Sequence, residues 1–390
     1  MQSSYKRLGD YIQEVSIKNT DLKVNNLIGV SIDKKFIRSV ANTIGVDMST
    51  YKIIQKSQLA CKLMSVGRDE KLPVDLYIDE EPSLVSSAYY VFEPKDNNIL
   101  MPEYLKMWLF RSETDRFVGY VSGGDVRGGI SWDTFCDIPI KIPTIEKQQE
   151  IVNEYHTIQN RINLNNQLIA KLEETAQTIY KQWFVNEIDL ENLPNGWKIM
   201  TLGGLCTIKG GKRLPKGEEL NDLKDGRPYI KVADMKETKF LVFDNKIQFV
   251  NDQIQKQISR YIVNTDDLII SIVGTIGVIN IIDSSLNNAN LTENCIKINN
   301  FKYLNSKYLY HYLNSDTGKR IIEERIVGGV QGKLPIYNIE SIPILIPDQF
   351  SIEKFNLTIN KIDSKLINKV KENQKLEELK ELLLGRMVRN

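Results

Sequence analysis

The chain has 390 residues, 42% of them hydrophobic, which is enough for two or three domains with cores of their own. Its 51 basic residues balance 50 acidic ones, and the net charge of +1 excludes a uniformly basic nucleic-acid binder, so any DNA-facing surface has to be local. Four scattered cysteines, Cys61, Cys136, Cys206 and Cys295, form no C-x-x-C pair and so imply neither a zinc site nor a disulfide framework. The opening residues lack the apolar core of a signal peptide, and the longest apolar runs, such as 268–273, are too short to span a membrane; the expectation is a soluble, cytoplasmic protein.

In chain order, the first globular region carries a strand-like run at 28–33 and then a polar loop at 62–71 that offers Lys62 and Arg68. Asp75, Asp79, Glu80 and Glu81 follow; with no suitably placed lysine they read as a solvated acidic loop rather than a nuclease centre. The glycine-rich stretch 122–129 offers Arg127, and its glycines let backbone approach a phosphate or a base edge. At 137–143 isoleucines alternate with prolines or lysine at period two. This predicts a short strand, kept to an edge by its first proline and stopped by its second, with Thr144 placed to cap a helix.

That helix shows an unbroken spacing of four and three through Ile151, Tyr155, Ile158, Ile162, Asn165, Ile169, Leu172, Ala176, Ile179 and Trp183, a heptad seam. A polar linker with a Pro194-Asn195-Gly196 turn leads to the second region. There a basic, glycine-bearing loop at 209–216 supplies Lys209, Lys212, Arg213 and Lys216 for phosphate contacts. Lys231 lies on a strand leaving that loop, Thr275 in a tight turn after a buried strand, and Gln331 and Lys333 close the domain. Residues 341–347 repeat the isoleucine–proline strand, with Asp348 as the cap. A second seam follows through Ile352, Phe355, Ile359, Ile362 and Leu366, loosens, and resumes with Leu376, Leu379 and Leu383.

The chain is therefore an internal repeat. Tyr5 to Gly9 matches Trp197 to Gly203, Tyr104-Leu105 matches Tyr308-Leu309, Gly123-Gly124 matches Gly328-Gly329, and the two isoleucine–proline strands match best, while the middles diverge. A helix with one apolar seam needs a partner along its length, and the two seams most simply pair with each other, antiparallel. Asn165 on the seam either fixes the register or lies at a wet margin. A helix of about 33 residues is about 50 Å long and makes a rigid spacer. The expected fold is α+β, with a pseudo-two-fold internal repeat. Mixed α/β recognition domains at 1–145 and 187–347 are each followed by a spacer helix, at 146–186 and 348–390, and the helices pair as an antiparallel coiled coil.

The duplicated isoleucine–proline segments, Glu146-Lys147-Gln148, the 229–235 segment, Gly274 to Gly277 and the order of parts resemble the specificity subunits of type I restriction-modification systems. The resemblance covers essentially the whole chain. It implies two target recognition domains that read a bipartite DNA target, with 209–216 and 328–333 near DNA and, less surely, 122–129. It also implies two methyltransferase subunits using S-adenosylmethionine and two endonuclease subunits using ATP and Mg. The start of the second long helix keeps only part of the pattern seen at 144–151, which leaves the partner contacts there open.

The chain itself lacks the parts for chemistry. It has no Pro-Pro dipeptide for an adenine methyltransferase motif, and 328–334 has the wrong spacing for a phosphate-binding loop. His156 and His311 lie far apart in the repeat and read as surface or interface residues. The expectation is a non-catalytic recognition subunit that binds no cofactor or metal. Two alternatives stay open: a coiled-coil adaptor without DNA contact, and the detached recognition portion of a fused restriction-modification enzyme.

Overall fold

The computed structural model describes residues 5–39, 45–64, 66–123, 128–186, 188–222, 226–329 and 331–388. It holds two compact units, Met1–Ile162 with Lys375–Asn390, and Asn163–Gln374. Among the described residues no helix is long and apolar enough to cross a membrane.

The first unit is built on an antiparallel sheet in the order Ile12–Val15, Tyr89–Pro94, Leu59–Lys62, Val74–Leu76. Successive side chains on a strand point to opposite faces. Leu59, Cys61 and Phe92 therefore enter a core with Tyr104, Leu105 and Trp108 of helix Pro102–Phe110. Ala60 and Val91 enter a smaller core with Ile28 and Tyr77 on the other face. Asp75 does not lie on a solvated loop as expected: it is a buried strand residue, 2.7 Å from Lys106 Nζ, and accepts the Phe36 backbone N–H. Such a carboxylate survives burial because it is paired and hydrogen-bonded.

The second unit repeats this plan more closely than its sequence does. Its main sheet runs Thr207–Gly210, Cys295–Asn299, Leu268–Ser271, Ile279–Ile282, Phe240–Leu241, and the first four strands keep the order of the first unit. The divergent middles thus share a sheet. What differs is what is added to it, chiefly a second sheet of Phe249–Val250, Arg227–Ile230, Ala289–Leu291 and Ile262–Val263.

The matched ends have matched jobs. Pro139–Ile140 pairs with Lys6–Arg7, and Pro343–Ile346 with Lys198–Thr201, each in a two-stranded sheet where a proline removes no needed ladder bond. Leu8 N donates to Ile138 O at 3.0 Å and Leu202 N to Ile342 O at 2.8 Å. Tyr104 Oη donates to Lys141 O at 3.1 Å, and Tyr308 Oη to Leu345 O at 2.8 Å. Trp108 and Tyr312 likewise donate to Pro139 and Pro343. Gly9 and Gly203 sit against the short helices Trp132–Cys136 and Ile336–Glu340; a Cβ there would lie 2.6 Å from Cys136 Cβ and 3.0 Å from Glu340 Cβ.

The long helices run Ile145–Phe184 and Gln349–Arg386. Lys147 N meets Thr144 Oγ1 at 3.4 Å and Ser351 N meets Asp348 Oδ1 at 3.0 Å, the two expected caps. Gln148 is fully buried and holds Met101 N, Ile99 O and Pro143 O, tying the first helix to its domain. In the first unit Ile151 and Tyr155 pack in one core with Leu383 and Met387, and Gln159 accepts from Lys380 at 3.1 Å. In the second, Asn165 donates to Asn373 at 2.9 Å, Ile169 and Leu172 cluster with Leu366, and Phe184 packs on Phe355. Rising numbers on one helix meet falling numbers on the other, so the pairing is antiparallel.

Ile162, Ala176 and Ile359 are also buried, and Ile158, Ile179, Trp183, Ile362 and Leu376 are half-buried. Leu379 departs from the expected seam and is exposed. After Leu376 the seam continues through Lys380, Leu383 and Met387, so the four–three alternation resumes one residue later than expected. Tyr180 and Phe184, outside the seam, form an aromatic core with Tyr308 and Phe355.

His311 is likewise buried at the helix face rather than at the surface. It lies beside Gln177 at 3.0 Å and Lys239 Nζ at 3.1 Å. Lys239, 1% exposed, meets Asp363 Oδ1 at 2.7 Å, with Lys307 Nζ 3.7 Å from the other carboxylate oxygen. Burial lowers Lys239 to about 8 despite Asp363, and burial together with the Lys239 charge pushes His311 well below its usual range.

Candidate nucleic-acid interface

In the second unit Thr207–Gly210 and Leu268–Ser271 both run antiparallel to Cys295–Asn299, so their C-terminal ends and the start of that strand share one end of the sheet. Arg227–Ile230 reaches the same end. It is parallel to Ala289–Leu291, and Thr292 N donates to Ile230 O at 3.0 Å. The loops after 210, 230 and 271 therefore gather around Thr292, Glu293 and Asn294. Val273 bridges Lys333, and Leu334 N donates to Ile272 O at 3.0 Å, which brings in the 327–333 segment.

This end collects the second-domain residues singled out from sequence. Lys209, Lys212, Arg213, Lys216, Thr275, Gln331 and Lys333 are all exposed. Lys209 lies opposite Lys297 in the ladder. Burial first, and the Lys209 charge in smaller part, lower Lys297 against the pull of Asp267. Lys231 is half-buried just beyond its strand, with Nζ held by Gln248 Oε1 at 2.7 Å and its backbone N–H by Asp234 at 2.7 Å.

The basic loop is clamped rather than loose. Gly211 N donates to Cys295 O and Lys212 N to Leu291 O, both at 2.8 Å, and Tyr229 Oη donates to Lys212 O at 2.8 Å. A Cβ on Gly211 would lie 1.9 Å from Thr292 O, so only glycine lets the loop close on the strand. Arg213 Nε meets Glu293 Oε1 at 2.6 Å, and Thr292 Oγ1 donates to Glu293 Oε2 at 2.9 Å. Partial burial alone would raise the Glu293 carboxyl, but the hydrogen bonds from Arg213, the backbone and Thr292 outweigh it and hold it below the usual range. Sequence reasoning missed Glu293. Its signal was a polar Thr-Glu-Asn break between two apolar strand runs.

The first unit has the same end with different contents. Ile130 N donates to Leu63 O at 3.1 Å, as Leu334 does to Ile272, and Gly67 N donates to Gly128 O at 3.0 Å. The expected polar loop is only partly polar: Leu63, Val66 and Gly67 are buried, and Val66–Asp69 makes a helical turn. Lys62 is half-buried at the end of its strand. Arg68 is exposed, with Nε and Nη2 on Asp69 at 2.7 and 3.0 Å. Arg127 lies outside the described residues.

A sheet domain with polar and basic loops at one end, built twice and completed each time by antiparallel helices, is the architecture of a DNA-specificity protein. The model of the type I restriction modification DNA specificity domain matches residues 74–174 and 194–381, and the chain belongs to this family. It is 22% identical to the type I restriction enzyme HindI specificity subunit of Haemophilus influenzae, over 98% of this chain and 97% of that one. It is 24% identical to the MjaIX specificity subunit of Methanocaldococcus jannaschii, over 80% and 73%. The solved type I restriction-modification S subunit from M. genitalium has a similar fold, with a TM-score of 0.51 at 14% identity over 98% of this chain and 95% of that one.

Proposed function

We propose that the chain is the specificity subunit of a type I restriction-modification complex, not itself catalytic, and that each unit reads one half of a split, asymmetric DNA target. The observation that carries this reading is one sheet order built twice with unlike loops at the same sheet end: Arg68 on a short helical turn in one unit, the clamped 209–216 loop in the other. Related scaffolds with different loops suit two different sequences. Lysines such as Lys209, Lys212, Lys216 and Lys333 supply phosphate contacts, which fix position without reading sequence. Thr275 and Gln331 carry side chains able to bond base edges.

The helices act as a spacer. A helix of 40 residues is about 60 Å long, more than the roughly 34 Å of one DNA turn, so half-sites about a turn apart are within reach. In this reading two methyltransferase subunits and two endonuclease–translocase subunits assemble on the chain in the cytoplasm. They bring the S-adenosylmethionine, ATP and Mg chemistry that this chain does not perform.

Co-expression with the cognate methyltransferase in a methylation-free host, followed by single-molecule mapping of N6-methyladenine, tests the proposal. It expects one split motif with a fixed gap. A co-purifying complex that binds its methyl donor yet leaves no motif refutes it and favours an adaptor without DNA contact. Sequence-specific DNA binding by this chain alone, with no methyltransferase gene beside its own, would favour a detached part of a fused enzyme.

A further inference from the structure

We infer that Arg213, buttressed by Glu293, reads a guanine in the half-site of the second unit. The inference rests on the reading above that this sheet end faces DNA, and goes beyond it in naming a base and a residue. Glu293 takes Arg213 Nε at 2.6 Å, a side-edge contact that does not use the outer edge formed by the two terminal nitrogens. Those two nitrogens form the fork that matches the O6 and N7 acceptors of guanine in the major groove. The side chains are 79% exposed for Arg213 and 30% for Glu293, so the guanidinium stands outward with the carboxylate behind it.

The support is rigid on both sides. Glu293 is held by Thr292, whose backbone is bound to Ile230, and Arg213 follows a loop bound to Leu291 and Cys295. An arginine already fixed in place loses less rotamer freedom on binding. The carboxylate also separates two possible contacts. A negative charge at this distance repels a phosphate, but it does not oppose contact with an uncharged base edge. The neighbouring lysines, flexible point charges with no carboxylate so placed among the described residues, suit phosphates.

The test uses the full chain in complex with its methyltransferase and compares methylated motifs for the wild type, Arg213→Lys, Arg213→Ala and Glu293→Gln. Arg213→Lys keeps the charge and loses the fork. It is expected to keep methylating while losing about ten- to hundredfold discrimination at one guanine of one half-site, with the other half-site and the gap unchanged. Glu293→Gln should relax the same position to a smaller degree. Uniformly weaker methylation of an unchanged motif in the Arg213 variants would make Arg213 a phosphate contact and overturn the inference. A change at a different base in Glu293→Gln alone would make Glu293 the reader and overturn it too. A wild-type complex that writes no motif removes the underlying reading and the inference with it.

Discussion

Asp363→Ala tests how the second recognition domain is held to the helices. The substitution leaves Lys239, 1% exposed, without its carboxylate. The lysine can then stay charged in an apolar site or release its proton, and release caps the loss. With a folded value of about 8, that release costs only about 1 kcal/mol at about pH 7.4, roughly 0.6 pH units at about 1.4 kcal/mol each, so the expected loss is about 1 kcal/mol plus that of the Asp363 hydrogen bond. This is below the roughly 3–5 kcal/mol found where the stranded charge cannot be released.

The pH signature follows from which state holds the proton. In the wild type the folded value is about 8, so this group is charged in both states at neutral pH, and stability rises with pH only from about 8 toward the unfolded value. In the variant the folded lysine is already neutral near pH 7, so the same rise begins lower and the gap to wild type narrows as pH increases. Hydrogen exchange of amides in 163–374 between pH 7 and 9.5 reads this unit by itself. A paired Lys239→Met/Asp363→Leu variant should recover most of the loss, since apolar residues replace buried ion pairs at little cost. A loss under about 1 kcal/mol with no pH dependence would show that the pair is not desolvated and refute the argument.

Three further outcomes are expected. His311 is buried neutral with its folded value pushed well below the usual 6.5, so the unfolded state binds a proton that the folded state does not, and stability should fall as pH drops below about 6.5; His311→Gln should flatten that slope in acid denaturation. Gly211→Ala forces a methyl against Thr292 O, where 1.9 Å is available, and should disturb one half-site while leaving the other readable in the methylated motif. One heptad inserted after Ile162 and another after Gln374 lengthens each helix by about 10 Å and should widen the gap by about three base pairs, with both half-sites unchanged; an unaltered gap would refute the spacer role.

The parts legible in the sequence were those in which one residue type has one physical job. Prolines that end a strand, caps at Thr144 and Asp348, and a heptad seam each act through local geometry, and the structure uses them that way. The shared sheet of the two middles was not legible, because Leu59-Ala60-Cys61 and Leu268-Ile269-Ile270 need only be apolar and extended to fill equivalent strands. The error at Leu379 has the same origin: the seam admits Lys380 by its aliphatic stem, and a seam position occupied by lysine does not look apolar. In the candidate interface, the basic residues were visible by charge, but their convergence was not. It arises from strand directions that meet only around residues 292–294. Arg213 looked like any other cation until Glu293, 80 positions away, was found against it.

The core of the first unit includes Leu383 and Met387, which are translated more than two hundred residues after Tyr155, against which they pack. At about 5–20 residues per second a ribosome needs roughly ten to fifty seconds to bridge that interval. Throughout it the first recognition domain leaves the tunnel with one helix face uncovered, and the stretch that covers it is made only after the whole of the second unit. Synthesis therefore imposes a waiting period on the first half that the second, whose residues are contiguous, does not have. Premature termination before Leu383 would accordingly injure the unit that was synthesised earlier.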